Sequence, residues 1–490
     1  MRIFLMMLYL CCGLMEEVHA SDFYIGRSSK EITPQTPIAL MGQFPIRIST
    51  QVETPLYVNI LALESREGSH SKESSVLVSC DLLYIPNNLR SAVRREVQKL
   101  VPSLDTAKVI LNATHIHTGP VLEEVAEQYA FGYAIPKEGV VQVQEYVTFL
   151  VGQICKGIQE AWSNRTVGEL AWGVERAAIG YNRRSLYNNG TSVLYGKTDR
   201  PDFKGLEGGE DHDVQSVFFW DKANKLIAIA IEVPCPAQEV ESRVAVNADY
   251  WDPLRKLLKR QYGEDVAIVA LIGASGDLSP HRMYRKAAIE RMNKLKNLTA
   301  LENIARQVYH AVEETYKAVQ YDREQSPIFM HKYEVIPLPM RQISKAEYVE
   351  ASKQYQHTID LMAKDPKAKD DYMAKSNWHK GLMKRYERLQ KNPNSKLDSE
   401  IHVIRLGDIA ICTNQFELFT DYSIQIQAKS KALQTLVVQL AGAGTYLPTQ
   451  KAIYGGGYSA VGESDIVGAA GGEALVKRTV ELINSCWPTE

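Results

Sequence analysis

No apolar run after the first twenty residues approaches the length needed to cross a bilayer. Neither sign of charge is in excess. The 56 Lys and Arg against 58 Asp and Glu leave a net −2 at pH 7, which removes the electrostatic case for a nucleic-acid partner or an anionic membrane. Cysteine is sparse: there are seven, Cys11 and Cys12 among them in the leader described next, and no CxxC pair occurs. A disulfide scaffold is therefore excluded, although the five scattered thiols that follow leave room for a single bridge in an oxidising compartment. Internal repeats and low-complexity tracts are missing too, and no linker marks a domain boundary. What is there, 45% hydrophobic and 23% charged residues over 490 positions, is the composition of a globular chain large enough for one big α/β domain with insertions.

Met1–Ala20 reads as an export leader. Arg2 supplies the positive start, Ile3 to Met15 the short apolar core, and Val18-His19-Ala20 a small-residue cleavage site before Ser21. Leu8-Tyr9-Leu10 ahead of Cys11 lacks the small residues that precede a lipidated cysteine. The expected product is an exported protein, periplasmic or extracellular, with no transmembrane segment.

Downstream, strand and helix patterns alternate. Strands are expected at Leu56–Glu64, Ser75–Asp81, Lys108–Thr114, Leu170–Val174, Val214–Trp220, Leu226–Val233, Val266–Ile272, Ile401–Leu406, Ile409–Thr413 and Leu436–Leu440. Helices are expected at Leu89–Leu100, Val121–Tyr129, Gln142–Trp162, Tyr250–Tyr262, Arg285–Val319, Glu417–Lys429 and Leu475–Ile483. The alternation argues for an α/β fold, a mixed sheet with flanking helices in one large domain over 21–490. Residues 344–396, dense in Lys, Asp, Glu and Gln and broken at Pro366, read as an inserted helical hairpin whose charges are a solvated face and not a binding patch.

Five strand ends carry residues that a packed core does not need. At the first, Ile110–Pro120 (I-L-N-A-T-H-I-H-T-G-P), His115 and His117 stand two apart. A strand continued through Thr114 would send both imidazoles to one side. The pair reads either as a metal ligand beside a substrate-facing imidazole or as two edge histidines bonded to loop carbonyls. Cys235 sits between Pro234 and Pro236 at the end of another strand. Gly273–Pro280 (G-A-S-G-D-L-S-P) offers an acid, Asp277, and a hydroxyl, Ser279, in a loop whose glycines let a ligand come close. Read structurally, it is a tight turn capped by Asp277. Glu417, between apolar neighbours, is either a helix-start residue or a buried, paired carboxylate. Last, Ala441–Thr449 with Tyr446, then Tyr454 and Tyr458 around three glycines, reads as an opened loop with phenol donors or as tyrosine packing.

Taken in order, T-H-I-H-T-G-P, G-D-L-S-P, F-E-L-F-T and Y-L-P-T resemble the neutral/alkaline ceramidases. So do I-T-P at Ile32, Met41-Gly42, Asn182-Arg183-Arg184 and Gly456-Gly457-Tyr458. The resemblance spans essentially the whole chain after the leader. It implies an α/β catalytic domain that binds zinc and hydrolyses the amide of an N-acylated sphingoid base, so that the expected substrate is a small-molecule or lipid-like N-acyl amide. It further implies metal ligands at His115, Glu417 and Tyr446, and His117 beside the reacting carbonyl. Ser279 falls on the serine of the family's G-D-x-S-P motif, Arg183 or Arg184 on an oxyanion contact, and Tyr458 on the pocket wall.

Two departures qualify it. The family's further ligand histidine falls where this chain has Pro234-Cys235-Pro236, so Cys235 is the candidate replacement. The sequence also ends soon after Tyr458, without the β-sandwich domain of full ceramidases. The alternatives are a metal-free ceramidase-like binding protein, and a hydrolase of ester or carbohydrate-derived substrates on the same scaffold.

Overall fold

The computed structural model describes residues 21–124 and 132–488. The leader and most of the helix expected over Val121–Tyr129 lie outside them, and Val121–Glu124 is not helical. Eight strands form the larger sheet: β1 (Asp22–Glu31), β2 (Tyr57–Glu67), β3 (His70–Cys80), β4 (Val109–Ala113), β5 (Thr166–Arg176), β6 (Asp213–Asp221), β7 (Leu226–Val233) and β8 (Ala267–Ile272). Their spatial order is β8-β7-β6-β5-β1-β2-β3-β4. The β3–β4 and β7–β8 pairs are parallel and the others antiparallel. Twist brings the two edge strands back towards each other, and the Asn112 amide on β4 donates to the Ala270 carbonyl on β8 at 3.0 Å.

Ile401–Leu406 and Ile409–Thr413 do not return to that sheet, as a single-sheet reading requires. They belong to a second one, β9 (Phe329–Pro339), β10 (Lys396–Leu406), β11 (Ile409–Thr413) and β12 (Gln434–Val438), paired in that order. Both sheets present apolar faces, and these pack together: Phe23, Leu61, Val217 and Val269 of the first meet Ile404, Ile411 and Leu436 of the second. Each such fully buried side chain contributes about 1.5–3 kcal/mol. The outer face of the large sheet is covered by α1 (Asn87–Leu100), α2 (Val143–Ser163), α3 (Trp251–Tyr262) and, beyond α4 (Lys286–Lys296), by α5 (Ala300–Val319). The helix expected over Arg285–Val319 is thus two helices. Asn297 turns left-handed (φ 52°) and Thr299 starts α5 with a capping box to Glu302.

The expected hairpin is present as α6 (Lys345–Lys364) and α7 (Lys369–Lys391). The outer face of the small sheet carries α8 (Thr420–Lys429) and α9 (Gly468–Asn484). The architecture is therefore helices, sheet, sheet, helices: an α/β fold of mixed sheets with flanking helices. All five described cysteines are free and buried. No helix among the described residues is long and apolar enough to cross a membrane.

Candidate active site

Loops leaving the ends of β4, β7, β8, β11 and β12 meet at one end of the two sheets, and backbone hydrogen bonds join them. Ala113 N–H donates to Leu440 O (3.3 Å), Gly276 N–H to Leu418 O (2.8 Å) and Glu417 N–H to Thr445 O (3.1 Å). Gln439 ties two loops at once, its side-chain oxygen accepting from Ser275 N–H (3.2 Å) and Leu418 N–H (2.9 Å). Close approach needs glycine here. A Cβ on Gly276 would stand 2.4 Å from Glu417 O, and one on Gly42 would stand 2.8 Å from three atoms of His117.

Between the loops lies a cavity of about 310 Å³ lined by His115, His117, Arg183, Tyr195, Gln238, Glu241, Glu417, Tyr446 and Tyr458 among others. His115 and His117 reach it by a route different from strand alternation. The strand stops at Ala113, and His115 adopts a left-handed backbone (φ 62°). Tyr195 (φ 53°) and Leu440 (φ 57°), also on the wall, do the same. Left-handed backbone costs a non-glycine residue on the order of 1–2 kcal/mol, and strain of this kind concentrates where geometry serves function.

His115 Nδ1–H donates to Leu83 O (2.9 Å) and His117 Nδ1–H to Gly42 O (2.8 Å). A carbonyl only accepts, so both rings are held as the tautomer whose Nε2 carries a lone pair. The two readings of the histidine pair, loop-bonded and cavity-facing, therefore hold in the same side chains. The Nε2 atoms are 3.3 Å apart, and Glu417 Oε2 lies 3.4 Å from His115 Nε2. Glu417 is not a helix-start residue: Glu417–Leu418 pairs in parallel with Tyr446–Leu447, and the register sets Glu417 beside Tyr446. The Tyr446 phenol is pushed well above its ordinary range by burial and by the Glu417 carboxylate. Burial, then His115, pushes His117 well below the usual imidazole range despite the Gly42 bond, so the ring is neutral at pH 7.

Arg183 is a buried part of the wall and donates to Tyr446 Oη (3.2 Å), Tyr195 Oη (3.2 Å), Gln238 Oε1 (3.1 Å) and Gly276 O (3.0 Å). Arg184, the other arginine of that segment, faces away. It pairs with Glu207 at 2.5 Å and holds the Ala452, Gly456 and Ser459 loop.

Three expected site residues do not line the cavity, and each has a physical reason. Cys235 is a buried thiol with Sγ 3.5 Å from Ile179 O, and burial, then Asp249 and Glu239, push it well above the ordinary thiol range. It is Gln238, three residues on, that reaches the wall and donates from Nε2 to His117 Nε2 at 2.6 Å. Ser279 lies behind Tyr195, whose hydroxyl donates to its Oγ at 3.0 Å. Asp277 is consumed structurally: Oδ1 accepts from Thr420 N–H and Oγ1–H, both at 2.9 Å, and Oδ2 from Asn182 Nδ2–H at 3.0 Å. Burial pushes it up to about 6 against those bonds. Tyr454 points to solvent.

Among the described residues, no three His, Cys, Asp or Glu side chains gather into a metal-holding group. The donors that do meet are mixed: an imidazole, a carboxylate and a phenol. Two donors on a tetrahedral zinc with bonds of about 2.0–2.1 Å stand about 3.3–3.4 Å apart, the spacing of His115 Nε2 and Glu417 Oε2. With Tyr446 in register beside Glu417 and on the same cavity wall, these are the residues that would hold such a cation.

Sequence reasoning missed Gln238, Glu241, Tyr133, Tyr195 and Phe44 on the wall. Only Gln238 carried a signal, its place just after a strand end already singled out. It also missed Trp378, which α7 brings against Phe44 (ring centroids 5.4 Å) and Tyr458 (5.6 Å). The hairpin is thus not merely a solvated appendage.

The chain has the neutral-ceramidase fold. Its solved counterparts include the neutral ceramidase from Pseudomonas aeruginosa, at 15% identity and TM-score 0.66, and a ceramidase complexed with C2, at 13% and 0.67. Each likeness covers 96% of this chain and 76% of the other. No family model matches the sequence and no curated protein does.

Proposed function

We propose that the protein is an exported, zinc-dependent hydrolase that cleaves the amide of an N-acylated substrate. The observation that carries this reading is the meeting of His115, Glu417 and Tyr446, from separate loops, at the wall of one cavity. The shared fold with neutral ceramidases supports it. Export rests on the leader sequence.

His115 Nε2, the Glu417 carboxylate and the Tyr446 oxygen would hold the ion. Bound zinc lowers the pKa of water to about 7 and polarises a carbonyl. His117 Nε2 accepts the proton that water gives up, exchanging the Gln238 hydrogen bond for the water, and delivers it to the departing nitrogen, while Gly42 O keeps the ring in place. The Tyr458 hydroxyl makes no hydrogen bond to another described residue, so it is free to donate to the carbonyl oxygen as negative charge develops. Arg183 fixes Tyr446 and Gln238 and adds positive potential behind that oxygen. In balance, the C–N bond breaks, the acyl carbon gains the water oxygen to become a carboxylic acid, and the nitrogen leaves as an amine with the proton. Ser279 and Asp277 are assigned structural places, and Cys235 no ligand role.

One observation favours a second reading, a metal-free binding protein: Gln238 already occupies His117 Nε2, near where the family resemblance implies a ligand histidine. Metal analysis of purified protein separates the two. The hydrolase reading expects one zinc per chain in the wild type and in Cys235→Ala, lost in His115→Ala and Glu417→Ala together with amide hydrolysis. A metal-free wild type that still binds N-acyl compounds overturns it.

A further inference from the structure

Resting on the hydrolase reading of this cavity, we infer a narrower substrate class: a compact, hydroxyl-bearing N-acyl amide of the N-acetyl amino-sugar type, not a two-chain lipid amide. Size comes first. The cavity measures about 310 Å³. It sits at the low end of the roughly 300–1,000 Å³ of small-molecule pockets. A sugar-sized group fits within it whole, whereas a two-chain lipid amide would leave most of its hydrocarbon outside.

The lining says the same. Aliphatic side chains on the wall are Met41, Leu83, Leu194 and Leu440, against five tyrosines. Phenols and flat rings suit a pyranose, whose C–H edges pack on aromatic faces while its hydroxyls find donors and acceptors. Two such polar groups are unclaimed among the described residues. The Glu241 carboxylate accepts no hydrogen bond from a described residue, its nearest ring nitrogens (His117 and His281 Nδ1) standing off at 3.9 Å. The Tyr458 hydroxyl likewise has no hydrogen-bond partner among the described residues. A hydrocarbon chain would leave both desolvated and unpaired, which is unfavourable for the phenol and more so for the carboxylate.

Trp378 sets the limit on one side of the cavity. It stands half-buried behind Phe44 and Tyr458, and a second void of about 20 Å³ lies between Trp378, Tyr458 and the loop carrying Glu463. The hairpin that delivers it is anchored, because Arg385 donates to Asp465 O at 3.2 Å and to Gly462 O. The aromatic wall is therefore fixed, and a longer acyl chain meets it.

The test uses the full-length protein with its metal. Binding is read by intrinsic tryptophan fluorescence and turnover by amine release, for N-acetylhexosamine, N-acetylsphingosine and N-palmitoylsphingosine in detergent. Expected is preference for N-acetylhexosamine over the palmitoyl amide by at least about tenfold in kcat/KM. Trp378→Ala should narrow that gap and Trp378→Phe largely keep it. Preference for the palmitoyl amide overturns this inference while leaving the hydrolase reading intact. Binding of N-acetylhexosamine without cleavage of any amide upholds the ligand class and overturns the hydrolase reading. Failure to bind it overturns the inference.

Discussion

Arg183 has only donors to offer, so the Gln238 oxygen must face it and the amide nitrogen must face His117. That settles the orientation of the amide and, with Gly42 O, the tautomer of the imidazole. Gln238 touches no reacting atom in this scheme. It acts through His117. Replacing it by leucine keeps much of the volume and removes the donor, so Gln238→Leu should lower kcat about 10–100-fold, the range for outer-shell partners. KM should change little and the circular dichroism spectrum not at all. A kcat equal to wild type would show that the ring is held without it. His115 and His117 were readable as a pair because their spacing is visible in the chain. Gln238 was overlooked in favour of Cys235, since sequence reveals which residue has metal-binding chemistry but not which one the loop turns inwards.

The hairpin α6–α7 shows the same limit one level up. Its helices were expected from their spacing, and Ser344, which caps α6 through Glu347, and Pro366 between them mark its boundaries. Its charged surface concealed where the buried stripe would dock. Arg385 is the anchor: burial pushes it down to about 10, yet it donates to two carbonyls of the 462–465 loop. Arg385→Ala leaves those carbonyls unpaired and should cost about 1–3 kcal/mol in urea unfolding. Loosened aromatic packing at Trp378 should appear as a red-shifted fluorescence maximum. An unchanged spectrum and midpoint would mean that the hairpin is held elsewhere.

Across the whole molecule, Glu400 on β10 joins the layers by pairing with Arg94 (2.7 Å) and Arg90 (3.5 Å) of α1. Burial alone would raise its pKa, but His402, Arg94 and Arg90 hold it far below the carboxylate value of 4.5. The folded pKa is depressed, so this contribution is present above pH 4.5 and shrinks as the pH falls below it. Glu400→Gln should therefore cost about 3 kcal/mol at neutral pH. Its stability difference from wild type should be full above about pH 4.5 and narrow steadily below it, closing only once the pH has fallen to the depressed folded value. Denaturant titrations at both ends check this, and a pH-independent difference would show that Glu400 acts through packing alone.

Local pattern was enough for the α/β class, most of the strands and helices, and the loops that carry His115, Glu417 and Tyr446. The spacing of apolar residues and the turn residues that end each run are properties of short segments. The partition into two packed sheets was not local, because β1 reaches β2 and β5, and β9 reaches β10, only across long separations in the chain. Nor was the choice among Cys235, Ser279, Asp277 and Gln238. That depended on left-handed turns and close backbone contacts at loop ends, which arise only once several distant segments compete for the same space.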